Sequence, residues 1–496
     1  MTATDGTPTN GANPWLDTLV EGGRWADANG GTTTINVSFM SGRDPYANIP
    51  GVTLGWDSAE QQRMVDALAL WENVADIDFV VRTNTGRADV WLWQGTDAQA
   101  EGNLGWSEMP DGNWVEPLYL MINGQTDTWG TESLARGGYD FVTMVHELGH
   151  MLGLSHPHDG VGDTSSSSFP GVDAAQGDLG LYDLNQGIFT TMSYNDGWAS
   201  QFPNAQWWET PEYGWQAMPM AFDIAAVQIL YGANTTFAQG DDVYVLPAQN
   251  AAGSYWSCIW DTGGTDTISN QGSARACTIN LIAAPLVGEN AGGYVSWNSG
   301  IMGGMTIANG VVIENAAGGQ GRDQLTGNDA DNQLSGNGGA DRIWGGTGND
   351  DLRGGGGNDQ LWGQRGADRM MGGAGNDRLQ GGTGRDVLTG GGGATDSDRF
   401  IFSSTRDSAA NRSRDVITDF NTGVDVIDLR RIDADQTTAG NQSFAFSTSG
   451  AANMAVWSNT FAHKTLIFVD VDGDSRADFS IHLKGAHDLS AGDFLL

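Results

Sequence analysis

A nine-residue, glycine-rich repeat constrains the fold more than any other feature of the sequence. Eight units follow without a gap from Gly318 to Thr389, and residues 318–393 contain 26 of the chain's 73 glycines. The consensus is GGxGxDxUx, where U is apolar. The sixth position is Asp323, Asn332, Asp341, Asp350, Asp359, Asp368, Asp377 and Asp386, and the eighth is Leu325, Leu334, Ile343, Leu352, Leu361, Met370, Leu379 and Leu388.

Each unit predicts a tight turn followed by a short strand. Glycine permits the left-handed backbone of the turn, and the apolar residue points into a shared core. Two units make one coil of a parallel β-helix, so turns 18 residues apart should stack. A flexible linker would not keep Asp and an apolar residue in register over eight units. Stacked turns present carbonyl and carboxylate oxygens, which are the ligands that Ca²⁺ prefers.

The charge balance restricts the partners of the chain. With 23 Lys+Arg against 61 Asp+Glu, the net charge is −38. Nucleic acid and anionic lipid are excluded, because binding phosphates requires a basic face. Divalent cations are the natural counter-charge. At 496 residues, with 39% hydrophobic residues and 19 Trp, the chain is expected to form two or three domains with substantial cores.

Targeting signals and cysteines give further limits. The first residues lack a basic segment followed by an apolar one, so no cleavable secretory signal is expected. No run of about 18 apolar residues predicts a membrane span. Cys258 and Cys277 are consistent with one disulfide in an extracellular protein or, equally, with two buried thiols.

Histidines cluster in one short segment, with four of the seven between positions 146 and 158. His146 and His150 are four residues apart and share one face of a helix predicted from about Tyr139 to Leu152. They can therefore bind one metal. Glu147 lies beside them, where it can hold a water on the metal without being a ligand.

A third ligand requires the chain to turn back after this helix. Gly153 can adopt the left-handed conformation that ends a helix, which lets His156 supply a third nitrogen. Three neutral imidazoles with an open fourth position are typical of a catalytic zinc. His158 lies outside the motif and is expected to be an exposed or loop residue rather than a ligand.

The complete motif, HExxHxxGxxH, is followed by Thr190-Thr191-Met192-Ser193-Tyr194, and the combination resembles the metzincins and, within them, the serralysins. Pro157 directly after the third His fits that subfamily. The resemblance implies that Met192 forms a hydrophobic floor beneath the zinc. It also implies that Tyr194 binds zinc at rest and moves to the oxyanion in the reaction. The repeats resemble the RTX β-roll of type I secreted proteins.

Patterns upstream of the motif agree with such a protease domain. Alternation over residues 32–40, an amphipathic helix over about Ala59–Val74, and strands near 78–82 and 88–94 are predicted. The segment LYLMING, 118–124, is expected to be the edge strand beside the cleft, where an extended peptide can pair. Residues 220–234 resemble the helix that closes the serralysin catalytic domain.

The resemblance also implies a set of calcium ligands. Around the first calcium turns these are Ala238, Gly240, Asp242, Asp261, Gly263, Gly264 and Asp266, with Val312 and Glu314 in a second site. Ala238 replaces the family's usual Arg, a change that a carbonyl ligand survives. Within the repeats the expected ligands are Gly319, Gly321, Asp323, Gly336, Gly338, Asp341, Gly346, Gly348, Asp350, Gly355, Gly357, Asp359, Gly363, Asp368, Gly372, Asp377 and Asp386.

The resemblance extends over roughly residues 14–496, because residues 414–429 match the serralysin C-terminal pattern. The last residues, Asp493 to Leu496, resemble the family's terminal secretion signal for an ABC-type exporter. Asn332 and the irregular stretch after Gly393 predict weaker outer calcium sites. The stretch 163–180 is longer than is usual in the family. Residues 470–478 are consistent with a further calcium loop or with a solvated acidic turn.

We therefore expect an α+β metzincin zinc protease domain followed by an all-β C-terminal domain with a parallel β-roll (RTX). Residues 1–31 would be a short propeptide or an ordered N-terminal extension. Residues 32–232 would form the catalytic domain and 233–496 the calcium-binding domain. The roll core would span 318–400, and the terminal β region with the secretion signal 401–496.

The function predicted from the sequence is that of a monomeric, bacterial, secreted zinc endopeptidase with one catalytic Zn²⁺ and several structural Ca²⁺. Its substrates would be extracellular proteins or peptides, and Glu147 would be the general base. One alternative is a non-enzymatic, calcium-stabilised adhesin or surface-layer module. Retention of Glu147 beside three ligands argues against that reading. The other alternative is a metzincin that cuts one specific partner.

Overall fold

The computed structural model describes residues 2–4, 13–20, 23–26, 31–44, 48–110, 117–130, 132–160, 167–203, 212–435, 439–448, 450–452 and 454–496. The chain divides into two compact units. The catalytic-side unit comprises Met1–Gln239, Pro247–Gly264 and Ala283–Val311, and the roll unit comprises Gly240–Leu246, Thr265–Ile282 and Val312–Leu496.

The helices are α1 (Pro14–Leu19), α2 (Ser58–Val74), α3 (Tyr139–Met151) and α4 (Ala221–Tyr231). The strands as far as the repeats are β1 (Thr2–Thr4), β2 (Arg24–Ala26), β3 (Thr33–Phe39), β4 (Ile77–Val81), β5 (Val90–Gly95), β6 (Gly105–Ser107), β7 (Leu118–Asn123), β8 (Val243–Val245), β9 (Trp256–Ile259), β10 (Thr267–Ser269), β11 (Cys277–Asn280), β12 (Ser296–Asn298), β13 (Gly304–Ile307) and β14 (Asn315–Ala317). The remaining strands are β15 (Gln324–Thr326), β16 (Gln333–Gly338), β17 (Arg342–Thr347), β18 (Asp351–Gly356), β19 (Gln360–Arg365), β20 (Arg369–Ala374), β21 (Arg378–Thr383), β22 (Val387–Thr389), β23 (Arg399–Ile401), β24 (Val416–Ile417), β25 (Val426–Asp428), β26 (Ala445–Ser447), β27 (Ala455–Phe461), β28 (Lys464–Val469), β29 (Phe479–Lys484) and β30 (Phe494–Leu495). Among the described residues, no helix combines the length and apolarity needed to cross a bilayer.

A five-stranded sheet forms the framework of the catalytic-side unit. Its order is β4-β3-β5-β7-β6, with β6 antiparallel and the other strands parallel. Every residue of β5 and β7 is buried, as expected for parallel strands covered on both faces. Helix α2 begins with a capping box between Asp57 and Glu60 and packs against α3, where Trp71 Nε1 donates to the Val145 carbonyl at 3.3 Å.

The prediction that LYLMING is the edge strand is wrong. Strand β7 pairs with β5 on one side and with β6 on the other, so β6 forms the edge. The residues of β6 are only Gly105, Trp106 and Ser107. Three residues cannot display a two-residue period, so the sequence pattern gave no sign of this strand.

The segment before residue 32 contributes to the catalytic-side unit. Trp15 and Leu19 of α1 are buried, and the Leu19 carbonyl accepts from the Ser155 amide at 2.9 Å. The indole of Trp25 donates to the Met151 carbonyl at 2.9 Å. These contacts with the end of α3 favour an ordered extension over a detachable segment.

The roll unit is built from coils whose strands alternate between two parallel sheets. One sheet runs β8-β10-β14-β16-β18-β20-β22-β24 and continues into β29, β28, β27 and β26; the other runs β11-β15-β17-β19-β21-β23-β25-β30. Leu325 pairs with Ile343, and Leu334 with Leu352, so the predicted stacking of turns two units apart is confirmed. The eighth-position side chains of all eight units are no more than 1% exposed and form the core. Each buried Leu stabilises the roll by roughly 2 kcal/mol.

The two cysteines follow the second alternative left open by the sequence. Both Cys258 and Cys277 are free, buried thiols. Burial raises the pKa of the Cys258 thiol to about 12. They therefore behave as small apolar core residues rather than as reactive groups.

Adjacent glycines in one unit provide a matched test of the turn. Gly357 has φ +133°, and a Cβ there would overlap the Gly339 carbonyl, whereas a Cβ on Gly356 would have its nearest neighbour at 4.0 Å. We expect Gly357→Ala to lower the free energy of unfolding of the roll by about 2 kcal/mol or more, and Gly356→Ala to change it much less. Urea denaturation followed by circular dichroism measures both. Equal effects would contradict the coil geometry.

Candidate active site

Helix α3 and the turn after it bring the predicted metal ligands together. His146, Glu147 and His150 lie on α3, and Gly153 has φ +96°, the left-handed conformation predicted for the reversal. The Gly153 amide donates to the His150 carbonyl at 2.8 Å, and the chain then leads back to His156.

The three histidines face one another through their Nε2 atoms. His156 Nε2 lies 3.1 Å from His146 Nε2 and 2.9 Å from His150 Nε2. The other ring nitrogen of each histidine contacts a group that can only accept. These contacts are His146 Nδ1 with the Thr191 carbonyl at 2.8 Å, His150 Nδ1 with the Leu154 carbonyl at 2.7 Å, and His156 Nδ1 with Asp159 Oδ1 at 2.9 Å.

This arrangement fixes the tautomers. Each Nδ1 carries the proton, so three Nε2 lone pairs converge on one point. Nitrogens around a tetrahedral zinc lie about 3.3 Å apart, close to the observed separations. Burial, reinforced by the charge of His156, lowers the pKa of His146 to about 3, and the same causes lower the pKa of His150. Three Nε2 atoms that face one another in this way fit a bound dication.

Glu147 is the acidic residue of the site whose carboxyl group is not fully hydrogen-bonded. Its Oε2 atom is buried without a hydrogen-bond partner among the described residues, and burial raises its pKa to about 8. A Cβ on Gly105 of β6 would lie 2.8 Å from Glu147 Cγ, so only glycine fits there. A neighbouring dication and a water molecule would supply the charge and the hydrogen bond that the carboxyl lacks.

Tyr194 lies above the histidines. Its ring centroid is 4.7 Å from that of His156 and 4.6 Å from that of His158, and its side chain is 42% exposed. Burial, with the charges of Glu147 and Asp159, raises the pKa of the phenol to about 12. His158 lies in a turn and stacks on His156 at 4.8 Å. It is half-buried rather than exposed.

The turn that contains Met192 is held from α4. Asp223 accepts from Thr190 Oγ1 and from the Thr191 amide, both at 2.6 Å. The Thr191 carbonyl in turn orients His146. Met192 is fully buried, and its Sδ atom lies 2.6 Å from where a Cβ on Gly149 would be. The side chain therefore packs against the backbone of α3 between the two helical histidines.

A cavity of about 300 Å³ opens beside these residues. Its lining includes Gly102 to Gly105 together with His146, Glu147 and Tyr194. Asp196 and Gln216 also line it. Burial raises the pKa of Asp196 to about 7. The cavity has room for a side chain next to the histidine cluster.

The aspartates of the roll form a second set of oxygen-rich positions. In the repeat aspartates from Asp341 to Asp386, each Oδ1 accepts from the backbone amide of the residue 18 positions earlier, as Asp341 does from Asp323 at 2.8 Å. The Oδ2 atoms of six consecutive repeat aspartates are buried without a hydrogen-bond partner in the described structure: Asp341, Asp350, Asp359, Asp368, Asp377 and Asp386. Burial raises the pKa of each of these carboxyls to between about 6 and about 7.

The space next to each unsatisfied oxygen fits a cation. A Cβ on Gly345 would overlap Asp350 Oδ2 and lie 2.8 Å from the Gly363 carbonyl oxygen. Likewise, a Cβ on Gly336 would overlap Asp341 Oδ2 and lie 2.7 Å from the Gly354 carbonyl oxygen. At each position, an aspartate oxygen and a backbone carbonyl oxygen therefore border a small space that any side chain on the glycine would fill. Oxygen atoms that accept no hydrogen bond are available to coordinate a hard cation.

Two repeat positions differ from this pattern. Asn332 Nδ2 donates to the Glu314 carbonyl at 3.0 Å, so an amide replaces the unsatisfied oxygen there. Asp323 is satisfied by the protein, because its oxygens accept from the Gly319 amide at 2.6 Å and the Cys277 amide at 2.8 Å.

The remaining predicted calcium ligands belong to both units. Ala238, Asp261, Gly263 and Gly264 lie in the catalytic-side unit, and Gly240, Asp242, Asp266, Val312 and Glu314 in the roll unit. Within the roll unit, the Asp266 amide donates to Glu314 Oε2 at 2.8 Å and Asp266 Oδ1 accepts from the Asp242 amide at 2.7 Å. In the acidic segment 470–478, the carboxylates of Asp470, Asp472 and Asp478 lie together. The backbone amides of Gly473 and Ser475 donate hydrogen bonds to the Asp470 carboxylate.

Comparison with known proteins agrees with these features. A family model described as peptidase M10 serralysin, C-terminal, matches residues 222–496. Serralysin G of Dickeya chrysanthemi is 31% identical over 450 residues, 87% of this chain and 78% of that protein. The chain belongs to the serralysin family. A serralysin of Photorhabdus luminescens is 30% identical over 285 residues, 55% of this chain and 54% of that protein.

The matches differ in how much of each relative they cover. The chain spans 54% to 62% of the length of three curated relatives it matches. The solved structure of myroilysin gives a TM-score of 0.24 at 15% identity, covering 44% of this chain and 98% of that one. A TM-score this low does not establish a shared fold.

Several site residues were not predicted from the sequence. Asp159 follows His156 by three residues, and its position as an acidic partner within a turn of the third ligand could have been recognised. Asp223 begins the closing helix far from the motif, and Asp196 and Gly105 reach the cavity only through tertiary structure. Spacing rules identify ligands on one helix, but not partners from distant segments.

Asp159 tests whether the histidine cluster binds metal as described. Asp159→Asn removes the charge that holds the Nδ1 proton of His156, so we expect a 10- to 100-fold loss of zinc affinity, on the order found for such outer partners. Asp78→Asn, an exposed change on β4, is the matched control. Competition with a chromophoric chelator measures both. Unchanged affinity in Asp159→Asn would contradict the proposed ligand geometry.

Proposed function

We propose that this serralysin-family chain is a secreted zinc endopeptidase with a metzincin-type catalytic domain. The observation that carries the proposal is the convergence of three Nε2 lone pairs beside a buried carboxyl that lacks a partner. His146, His150 and His156 would hold one Zn²⁺. Bound zinc supplies Lewis-acid chemistry, polarising a carbonyl and lowering the pKa of water.

The chain's own groups would carry the protons. Glu147 would take a proton from the attacking water and deliver it to the leaving amine. The phenol of Tyr194, whose raised pKa keeps it protonated, would donate a hydrogen bond to the carbonyl oxygen as negative charge develops. Asp223 would act as a positioning residue, through the turn that orients His146.

Substrate would bind as an extended strand along β6. This strand is the antiparallel edge of the sheet, and Gly105 lies next to Glu147. Pairing with an edge reads main chain rather than side chains, which suits substrates of varied sequence. The 300 Å³ cavity would accept one side chain, and Asp196 would favour those able to hydrogen-bond.

The roll would be a calcium-dependent folding element. Six buried carboxylate oxygens without partners fit several Ca²⁺ ions. In a cell interior with little free calcium, these charges would repel and keep the roll open for passage through an ABC-type exporter. Extracellular calcium would then fold it. The terminal residues Asp493 to Leu496 would be read by that exporter, and the folded product would be a monomer.

The second candidate is a non-enzymatic calcium-stabilised adhesin. The roll alone fits that reading equally well. The intact Glu147 and the convergent histidines favour the protease, because a calcium-stabilised binding module has no use for a carboxyl beside three converging imidazoles.

Glu147→Gln tests the catalytic proposal. The amide keeps the size of the side chain but cannot accept the water proton, so we expect casein hydrolysis to fall by about 10³-fold or more with one zinc still bound. Wild-type chain treated with a zinc chelator should be equally inactive, and zinc should restore it. Casein hydrolysis at wild-type rates in Glu147→Gln would refute the protease.

Calcium removal tests the roll, with a pH dependence of defined sign. The pKa of each free carboxyl is raised on folding from its ordinary value of 3.8 to about 6 or 7. The folded protein therefore binds these protons more tightly than the unfolded chain does. The free energy of unfolding is highest below pH 3.8, the pKa of the unfolded carboxyl, and falls as the pH rises toward 7. We therefore expect calcium-free protein to be more folded at pH 5 than at pH 8 by circular dichroism. Saturating calcium should remove the loss at pH 8. A spectrum independent of both calcium and pH would contradict this role.

A further inference from the structure

One outer face of the roll concentrates positive charge in a very acidic chain. The face belongs to the sheet containing β17, β19, β21 and β23, where residues on either side of each buried apolar position point outward. The register places one row as Arg342, Gln360, Arg378 and Arg399, and a second row as Trp344, Trp362 and Gln380.

A groove of about 380 Å³ crosses this face between β19 and β25. Its lining includes four guanidinium groups, Arg378, Arg399, Arg430 and Arg431, and one carboxylate, Asp428. Asp428 is already engaged, since Arg430 Nη2 lies 2.7 Å and Arg399 Nη1 3.9 Å from it. Within the described part of the chain, Arg378 and Arg431 are exposed and form no ion pair.

This charge is unusual for the molecule. The whole chain has 23 Lys+Arg against 61 Asp+Glu, so four arginines around one groove are a local reversal of sign. Guanidinium groups present paired donors that match a carboxylate. The groove is therefore complementary to an anion that carries carboxylates.

The tryptophan row indicates the rest of the ligand. Trp344 and Trp362 stack with ring centroids 5.0 Å apart and planes within 4°, and both are partly exposed. Gln380 is in register with Trp362, and Gln360 lines the same groove. Sugar rings present apolar faces that pack on indole and hydroxyls that bond to amides. Arg378 and Arg399 are in register on neighbouring strands, which lie about 4.8 Å apart, so a linear chain with regularly spaced charges can meet them in turn.

We propose that this groove binds a linear polysaccharide of uronic acids. A sugar ring packs against Trp362, which lines the groove, and the carboxylates pair with Arg378 and its neighbours. An acidic peptide would supply carboxylates without ring faces. Nucleic acid would bring a dense phosphate charge against an otherwise acidic surface. Binding of this kind would hold the protein in an anionic extracellular matrix.

The test uses the full chain with calcium held constant and hexagalacturonate as the probe, measured by isothermal titration calorimetry. Arg378→Gln and Trp362→Ala should each weaken binding by about tenfold. Arg369→Gln is the matched control, because Arg369 is exposed and occupies the same repeat position on the other sheet. It should leave the affinity unchanged. Thermal unfolding of each variant at the same calcium concentration verifies that the roll is intact.

Three results would overturn the proposal. They are no binding of hexagalacturonate, an equal loss in Arg369→Gln, or equal affinity for oligoglutamate, which would assign the groove to acidic peptides. Neutral maltohexaose should not bind. The groove shares no residue with the histidine cluster, so this outcome is independent of whether the chain is a protease.

Discussion

Polar atoms that are buried without a protein partner are the constraint on which both units depend. In the roll, the Oδ2 atoms of the six repeat aspartates from Asp341 to Asp386 meet no donor among the described residues, and in the histidine cluster three lone pairs face each other beside Glu147 Oε2. Leaving such atoms uncompensated costs about 1–3 kcal/mol each, and more when they are charged. Over six such atoms this cost is comparable to the whole stability of a typical domain. Cations at these positions would turn the cost into a favourable interaction.

The histidine cluster is positioned by a chain of contacts that begins outside the motif. Asp223 at the start of α4 holds the turn of Thr190 and Thr191, and the Thr191 carbonyl fixes the tautomer of His146. Met192 fills the space against α3 that Gly149 leaves open. The geometry therefore depends on two segments packing together, and a change in either would move the ligand set. The elements that hold the site are as important as the ligands.

Much of this could be predicted from the sequence, because the strongest patterns are periodic. The nine-residue repeat predicted the stacking of coils, and the spacing of His146, His150 and His156 predicted the cluster. The helix predicted over about Ala59–Val74 forms as α2, Ser58–Val74. What could not be predicted depends on tertiary contacts. Strand β6 is too short to show a period, so LYLMING was wrongly assigned to the edge. Asp223 holds the turn of Thr191 from a distant helix, which no local pattern encodes. The hydrogen bond from the Asn332 side chain to the Glu314 carbonyl forms only once the coils stack.

Native mass spectrometry of the full chain, folded with zinc and calcium, counts both kinds of ion in one experiment, because they differ in mass. We expect one zinc ion, lost in His150→Ala, and several calcium ions, reduced in number by Asp350→Asn without loss of the zinc. A folded chain that carries neither metal would contradict this expectation.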